Sequence, residues 1–278
     1  MQANKYFKLA ALCAALGASA VANAALVHNQ NVTNNVIMGT GIANGGFTTN
    51  TAGGVEVGLR ARERYDLVTN LPSNVTGSNG DGTFNQNAGE PPGFPTSNRA
   101  RWNFDWSINT GAARINAYTY RLGIDFDAGF GTNFQIFNPI NGTTACADHS
   151  FGNNGTAQSA GAEVPGNPGA PLGLDKCRAA NLAADAAAYA AFLADPTVNL
   201  VQNSWNMDFF DGGAFTFDPT ADGNYSFFLE AISATGGVVS RSDITVIVGT
   251  GATVPEPGTL ALAGLALAGL GFARRRRA

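Results

Sequence analysis

From Arg101 to Ile108 the chain alternates without a break. Trp102, Phe104, Trp106 and Ile108 hold one parity, and Arg101, Asn103, Asp105 and Ser107 hold the other. Successive side chains of an extended strand point to opposite faces, so this period fits a strand with one apolar side and does not fit a helix. Two indoles and a phenyl ring on one face need a broad apolar layer to bury against. One strand cannot supply it, so the segment implies a sheet that faces a second layer.

The same period recurs along the chain. Val55, Val57, Leu59 and Ala61 alternate with Glu56, Gly58, Arg60 and Arg62. Tyr118, Tyr120, Leu122, Ile124 and Phe126 share one side of Ile115 to Asp127, and Asn109-Thr110-Gly111 predicts a hairpin with the preceding strand. Shorter strands are expected at Val36 to Ile42, Asn133 to Phe137 and Ala214 to Phe217. A longer one follows Val198, with Val201, Asn203, Trp205, Met207 and Phe209 on one parity. Tyr225 to Ile232 and Val238 to Val248 form a final hairpin around Ala234-Thr235-Gly236-Gly237. Asn70 to Asn98 and Asn141 to Gly173 are rich in Gly, Asn and Pro and read as long loops. One helix is expected from Asp175 to Ala194: Asp175 caps it, its alanines favour it, and Pro196 stops it. The reading is a mainly β chain: an antiparallel β-sandwich, jelly-roll-like, with one packed helix and long loops.

The two ends are different in kind. Lys5 and Lys8 precede the uncharged apolar run Leu9 to Val21, and Ala22-Asn23-Ala24 is a small-residue cleavage site before Ala25. This is the pattern of a secretory signal helix that signal peptidase removes. At the other end, Gly258 to Ala273 is built of Leu, Ala and Gly with one Thr and one Phe. As a helix it spans roughly 24 Å, slightly short of a ~30 Å hydrocarbon core. Arg274, Arg275, Arg276 and Arg277 extend its reach and act as a stop-transfer cluster held on the cytoplasmic side. The chain therefore divides into a signal at 1–24, an exported body at 25–252 and a sorting and anchor segment at 253–278.

Without these ends the charge changes. The whole chain has 16 basic and 20 acidic residues, a net charge of −4. Removing Lys5, Lys8, the four terminal arginines and Glu256 leaves 10 basic against 19 acidic residues, a net charge of −9. An acidic body disfavours nucleic acid as a partner. Within it stand two cysteines, Cys146 and Cys177. An even number in an exported chain points to a disulfide, worth roughly 3–4 kcal/mol in the chain-entropy model. The alternatives are free thiols or a metal site: Cys146-x-x-His149 has ligand spacing, but a tetrahedral site then needs Cys177 and a fourth ligand that the sequence does not identify.

Val254-Pro255-Glu256-Pro257-Gly258-Thr259, followed by the apolar run and the arginines, resembles the PEP-CTERM sorting signal of Gram-negative bacteria. The order of motif, span and basic cluster, together with an N-terminal signal, carries the resemblance. It implies processing near Pro255-Glu256-Pro257 by an exosortase. It also implies an inner-membrane intermediate, delivery to the outer surface or extracellular matrix, and a link with exopolysaccharide and biofilm. Asp218 to Phe227 through Ile244-Thr245-Val246 is similar to the closing hairpin of many such bodies. The segment from Ala25 to about Asn199 matches no named family.

The body shows no nucleophile elbow, H-E-x-x-H, Walker or dinucleotide fingerprint. His28 reads as exposed near the new N-terminus and His149 as a loop residue. Asp105, Asp125, Asp127, Asp208 and Asp211 read as outward strand carboxylates; a pair across a cleft would instead suit glycoside hydrolysis. Asp218-x-Thr220-x-Asp222-Gly223 is a weak calcium candidate, because its twelfth position is Leu229 where a bidentate Glu is wanted. It reads better as a turn. Trp102, Trp106, Trp205, Tyr118 and Tyr120 sit on apolar parities and read as core rather than as a sugar platform. The expectation is a non-enzymatic surface or matrix protein needing no cofactor, structural or adhesive, with a secreted carbohydrate-binding or glycosidase-like protein as the alternative.

Overall fold

A computed structural model describes residues 24–39, 41–66, 73–93, 98–140, 149–163 and 189–252. In chain order its strands are β1 (Val27–Gln30), β2 (Phe47–Ala52), β3 (Val55–Glu63), β4 (Thr83–Gln86), β5 (Trp102–Asn109) and β6 (Thr119–Asp125). They continue with β7 (Phe134–Phe137), β8 (Ser150–Gly152), β9 (Ala162–Glu163), β10 (Leu200–Trp205), β11 (Gly223–Ile232) and β12 (Val238–Val248). One sheet runs β1-β2-β3-β5-β10-β8-β9 and the other β4-β12-β11-β6-β7. Every pairing is antiparallel except β4 with β12, which is parallel.

The alternation seen in the sequence builds the shared core. Trp102, Phe104, Trp106 and Ile108 of β5 and Val55, Val57, Leu59 and Ala61 of β3 are all buried. They meet the apolar parities of β6, β11 and β12 in one cluster. The rings of Phe104 and Phe227 lie 4.8 Å apart, and Trp102 meets Tyr225 and Phe227 at 6.2 and 6.1 Å. Each pair joins one sheet to the other. A fully buried side chain of this size contributes roughly 1.5–3 kcal/mol, so contact between sheets dominates the stability of the body. Burial also pushes the Tyr225 hydroxyl pKa up to about 12.

Two tight hairpins behave as their sequences dictate. Gly53 and Gly54 join β2 to β3 with φ of +57° and +80°, which a type I′ turn requires and which only glycine adopts cheaply. The β11–β12 hairpin closes through the Ser233 N–H donating to the Gly237 carbonyl at 2.9 Å.

Several expectations are corrected. Strands β5 and β6 do not form a hairpin; they belong to different sheets. Both carry a large apolar face, and placing them opposite each other buries both faces in one core. Residues 110–118 cross between the layers, fixed by the Thr110 N–H to the Asn199 carbonyl and by the Tyr120 hydroxyl donating to the Ile115 carbonyl at 2.6 Å. The supposed loop from Asn70 to Asn98 contains β4, whose pairing partner is over 150 residues away and leaves no local signal. The second long loop contains β8 and β9. Described residues between 36 and 42 form no strand, and 214–217 holds only an isolated Gly212–Phe215 bridge. Residues 189–194 are helical, as expected for the end of the predicted helix; 175–188 lie outside the described residues.

Segment 31–46 covers the outer face of the first sheet. Val32, Val36, Met38 and Phe47 form a small second cluster there, with Ile42 packed on it. Polar pins hold it: the Ile37 N–H donates to Gln202 Oε1 at 2.8 Å and the Thr33 N–H to Glu56 Oε1 at 2.6 Å. This is why both parities of β3 and β5 are buried where one buried face was expected. Among the described residues no helix is long and apolar enough to cross a membrane. The signal stretch through Asn23 and the segment from 253 onward, with Pro255, Glu256, Pro257 and the four arginines, lie outside the described residues, as do Cys146 and Cys177.

Candidate functional site

Asp105 projects from the polar parity of β5 under the covering segment and is fully buried. The register places it opposite Arg60 of β3 and Ser204 of β10. Arg60 Nε and Arg62 Nε both donate to its Oδ2 at 2.8 Å. Arg60 continues to the carbonyls of Ala43 and Gly45 at 2.9 and 2.6 Å, with its guanidinium 4.3 Å from the centroid of the Phe47 ring. Arg62 reaches the Ser73 carbonyl and the Ser204 hydroxyl. Burial alone would raise the Asp105 pKa; the charges of Arg62 and Arg60 outweigh it and hold the carboxyl below its ordinary value. Burial in turn lowers Arg60. A sealed centre of this kind positions backbone and fixes the covering segment. It offers no approach to a substrate.

The other carboxylates are dispersed. Asp125, on the outer parity of β6, accepts from the Asp127 and Asn133 N–H groups at 3.0 and 2.7 Å and shapes the turn into β7. Asp105 and Asp125 thus lie on opposite outer sides of the two layers, with the core between them. They do not face each other across a cleft. Asp127 accepts from the Gly129 N–H. Asp208 pairs with Arg99 at 3.0 Å; burial lifts its pKa above the ordinary range, more than Arg99 lowers it, and the nearby Asp211 adds to the rise. Asp211 is engaged by Asn98 Nδ2 at 2.9 Å and by the Phe217 N–H at 3.1 Å.

His149 is not a plain loop residue. It is fully buried, its ring lying 5.1 Å from that of Trp106 and 5.7 Å from those of Tyr189 and Trp205. The Ser204 N–H donates to Asn203 Oδ1 at 2.6 Å, which turns the Asn203 amide nitrogen toward His149 Nδ1 at 2.9 Å. His149 Nε2 lies 2.7 Å from the Pro139 carbonyl, which can only accept. The two contacts together select the tautomer protonated at Nε2. His28 Nδ1 meets Thr48 Oγ1 at 3.2 Å, half-buried rather than exposed. Trp102, Trp106, Trp205 and Tyr120 are buried and Tyr118 packs against the same core, so none of them lines a sugar-binding face.

At the far end of β12 the chain is pinned by side-chain bonds from neighbouring turns. Asp218 accepts from the Thr220 N–H and hydroxyl at 2.8 and 2.6 Å. Asp222 Oδ2 accepts from the Thr250 N–H and hydroxyl at 3.0 and 2.6 Å. These bonds hold both carboxyls below their ordinary pKa. The two aspartates of the weak calcium candidate thus accept from different threonines, Asp218 within its own turn and Asp222 from Thr250 beyond the end of β12, and among the described residues no group of three metal-ligating side chains converges. The Gly249 N–H donates to the Gln86 carbonyl at 2.9 Å and the Ala252 N–H to Asn224 Oδ1 at 3.3 Å. Ala24 is likewise tied at the other terminus, its carbonyl accepting from the Asn50 amide, with Ala25 leading into β1.

Sequence reasoning singled out Asp105 but not its arginine partners, nor Gln202 and Asn206. Asn206 Oδ1 accepts from the Ala100 N–H at 2.9 Å, and its Nδ2 faces the Ala100 and Trp102 carbonyls at 2.8 and 2.9 Å. The available signal was charge on the polar parity of central strands: Arg60, Arg62 and Asp105 share one face in register.

A family model for the PEP-CTERM protein-sorting motif matches residues 253–277. The matched segment begins at the residue after Ala252. The chain thus carries a sorting motif of the kind an exosortase processes, and this marks it as an exported protein directed to the cell envelope or surface. No curated protein matches the chain.

Proposed function

We propose that the chain is a structural or adhesive protein of the cell surface or extracellular matrix of a Gram-negative bacterium, associated with exopolysaccharide in biofilm. Signal peptidase releases Ala25. The apolar helix and Arg274–Arg277 hold an inner-membrane intermediate until exosortase acts near Pro257. The body then leaves as a non-enzymatic unit needing no cofactor, a jelly-roll-like sandwich. The observation that carries the reading is the sorting motif matched at residues 253–277. The buried tryptophans and the separation of Asp105 from Asp125 support a structural role over sugar cleavage.

The test is fractionation of cells producing the native chain and a variant with Pro255, Glu256 and Pro257 all replaced by alanine. The native protein is expected in the polysaccharide fraction, and the variant in the inner membrane. Recovery of both in the same fraction would contradict the proposal, as would a matrix unaltered by loss of the protein.

A further inference from the structure

Edge strands expose a row of unpaired backbone groups, and folded proteins usually protect them. Among the described residues, three of the four sheet edges are blunted. β1 carries a register irregularity, and Asn29 has φ of 56°. β4 is covered by its own preceding segment: the Asn85 N–H donates to the Gly77 carbonyl at 2.9 Å and the Asn79 N–H to the Thr83 carbonyl at 3.0 Å. β9 is only two residues long. Among the described residues β7 has none of these devices. It pairs with β6 in unbroken register and ends the second sheet. From 133 to 138 it reads Asn-Phe-Gln-Ile-Phe-Asn, without charge, glycine or proline.

The phase of the ladder fixes which groups are free. The Phe126 N–H donates to the Asn133 carbonyl at 3.0 Å. Bonded positions alternate along an antiparallel strand, so 133, 135 and 137 bond inward to β6. The N–H and C=O groups of Phe134 and Ile136 therefore point away from the sheet. Ile136 is 54% exposed. Gln135 Oε1 is buried without a hydrogen-bond partner.

We propose that β7 is the interface through which the protein pairs with a second copy of itself, strand against strand and antiparallel, about a two-fold axis at Gln135. In that register Phe134 lies opposite Ile136 of the second copy. Each such pair exchanges two backbone hydrogen bonds, and the exposed Ile136 side chain gains an aromatic neighbour. The two Gln135 residues meet at the axis, where each amide supplies a donor to the other's carbonyl. A second copy is the occupant because the segment is complementary to itself. It also lets two bodies of charge −9 meet along a stretch with no charge of its own. An open edge used about a two-fold axis closes at two copies rather than growing into a fibre.

Residues opposite each other at a non-bonded antiparallel position have Cα atoms about 4.5 Å apart, within disulfide range. Gln135→Cys in the full chain is therefore expected to convert most of the protein to a covalent dimer on a non-reducing gel. Val75→Cys, on a loop and 62% exposed, should stay at the level of the native chain. Light scattering should give the native chain twice its single-chain mass and Ile136→Lys the single-chain mass. A native chain that remains monomeric, or cross-linking of Gln135→Cys no greater than that of Val75→Cys, overturns the proposal. If Gln135→Cys does not fold, the masses of the native chain and Ile136→Lys decide it.

Discussion

Replacing Asp105 with alanine should be among the most damaging single changes available in the body. The carboxylate sits with 0% of its side chain exposed between Arg60 and Arg62, each 2.8 Å from the same oxygen. Its loss removes two charge-assisted hydrogen bonds, at about 1.5–3 kcal/mol each. It also leaves two buried guanidinium groups without a counter-charge; breaking a buried ion pair from one side costs about 3–5 kcal/mol. Taking that range with a urea slope of about 2–3 kcal/mol/M, the unfolding midpoint should fall by roughly 1–2.5 M. Trp102, Trp106 and Trp205 all lie in the core and report the transition by fluorescence. The pH dependence has a definite sign. The folded pKa of Asp105 lies below its unfolded value, so its contribution is present above about pH 3.9 and is lost as pH falls through the folded pKa. The native protein should therefore destabilise more steeply in acid than the Asp105→Ala variant. A midpoint loss worth less than about 1 kcal/mol, typical of an exposed pair, would refute the view that this centre holds segment 31–46 in place.

Gly123→Val should destabilise by about 1–3 kcal/mol through overpacking, because a Cβ at Gly123 would overlap the Phe228 ring; thermal unfolding reads it. Asn206→Ala should cost about 1–3 kcal/mol by leaving buried backbone groups of Ala100 and Trp102 unpaired, measured by urea unfolding. Asp222→Ala should leave global stability nearly unchanged while faster proteolysis appears at 249–252, because Thr250 loses its acceptor.

The strands with strict alternation were legible because their parity is a local property. The pattern around Trp102, Phe104 and Trp106 identified both the strand and its buried face. What escaped was set by distant partners. β4 is a short polar stretch, Thr-Phe-Asn-Gln, that becomes a strand only by lying alongside β12. The false hairpin between β5 and β6 shows the same limit: a turn sequence specifies a reversal of the chain, not whether the returning strand pairs beside its predecessor or faces it from the other layer. Among the charged residues, parity alone placed Asp105 on an outer face. Its burial depends on segment 31–46, whose Gly- and Asn-rich sequence carries no periodicity. His149 sat in an apparently ordinary loop, and its ring-lined setting is assembled from β5, β8, β10 and the 189–194 helix. The sorting motif was legible because its order of residues is itself the signal, independent of the fold.

The most direct measurement is the mass of the C-terminal peptide of the protein recovered from outside the cell. If residues 253–277 are a processed sorting signal, the mature chain should end near Pro257 and lack Arg274–Arg277, and cells without exosortase should retain the arginines. Surface protein that still carries all four arginines would contradict the account.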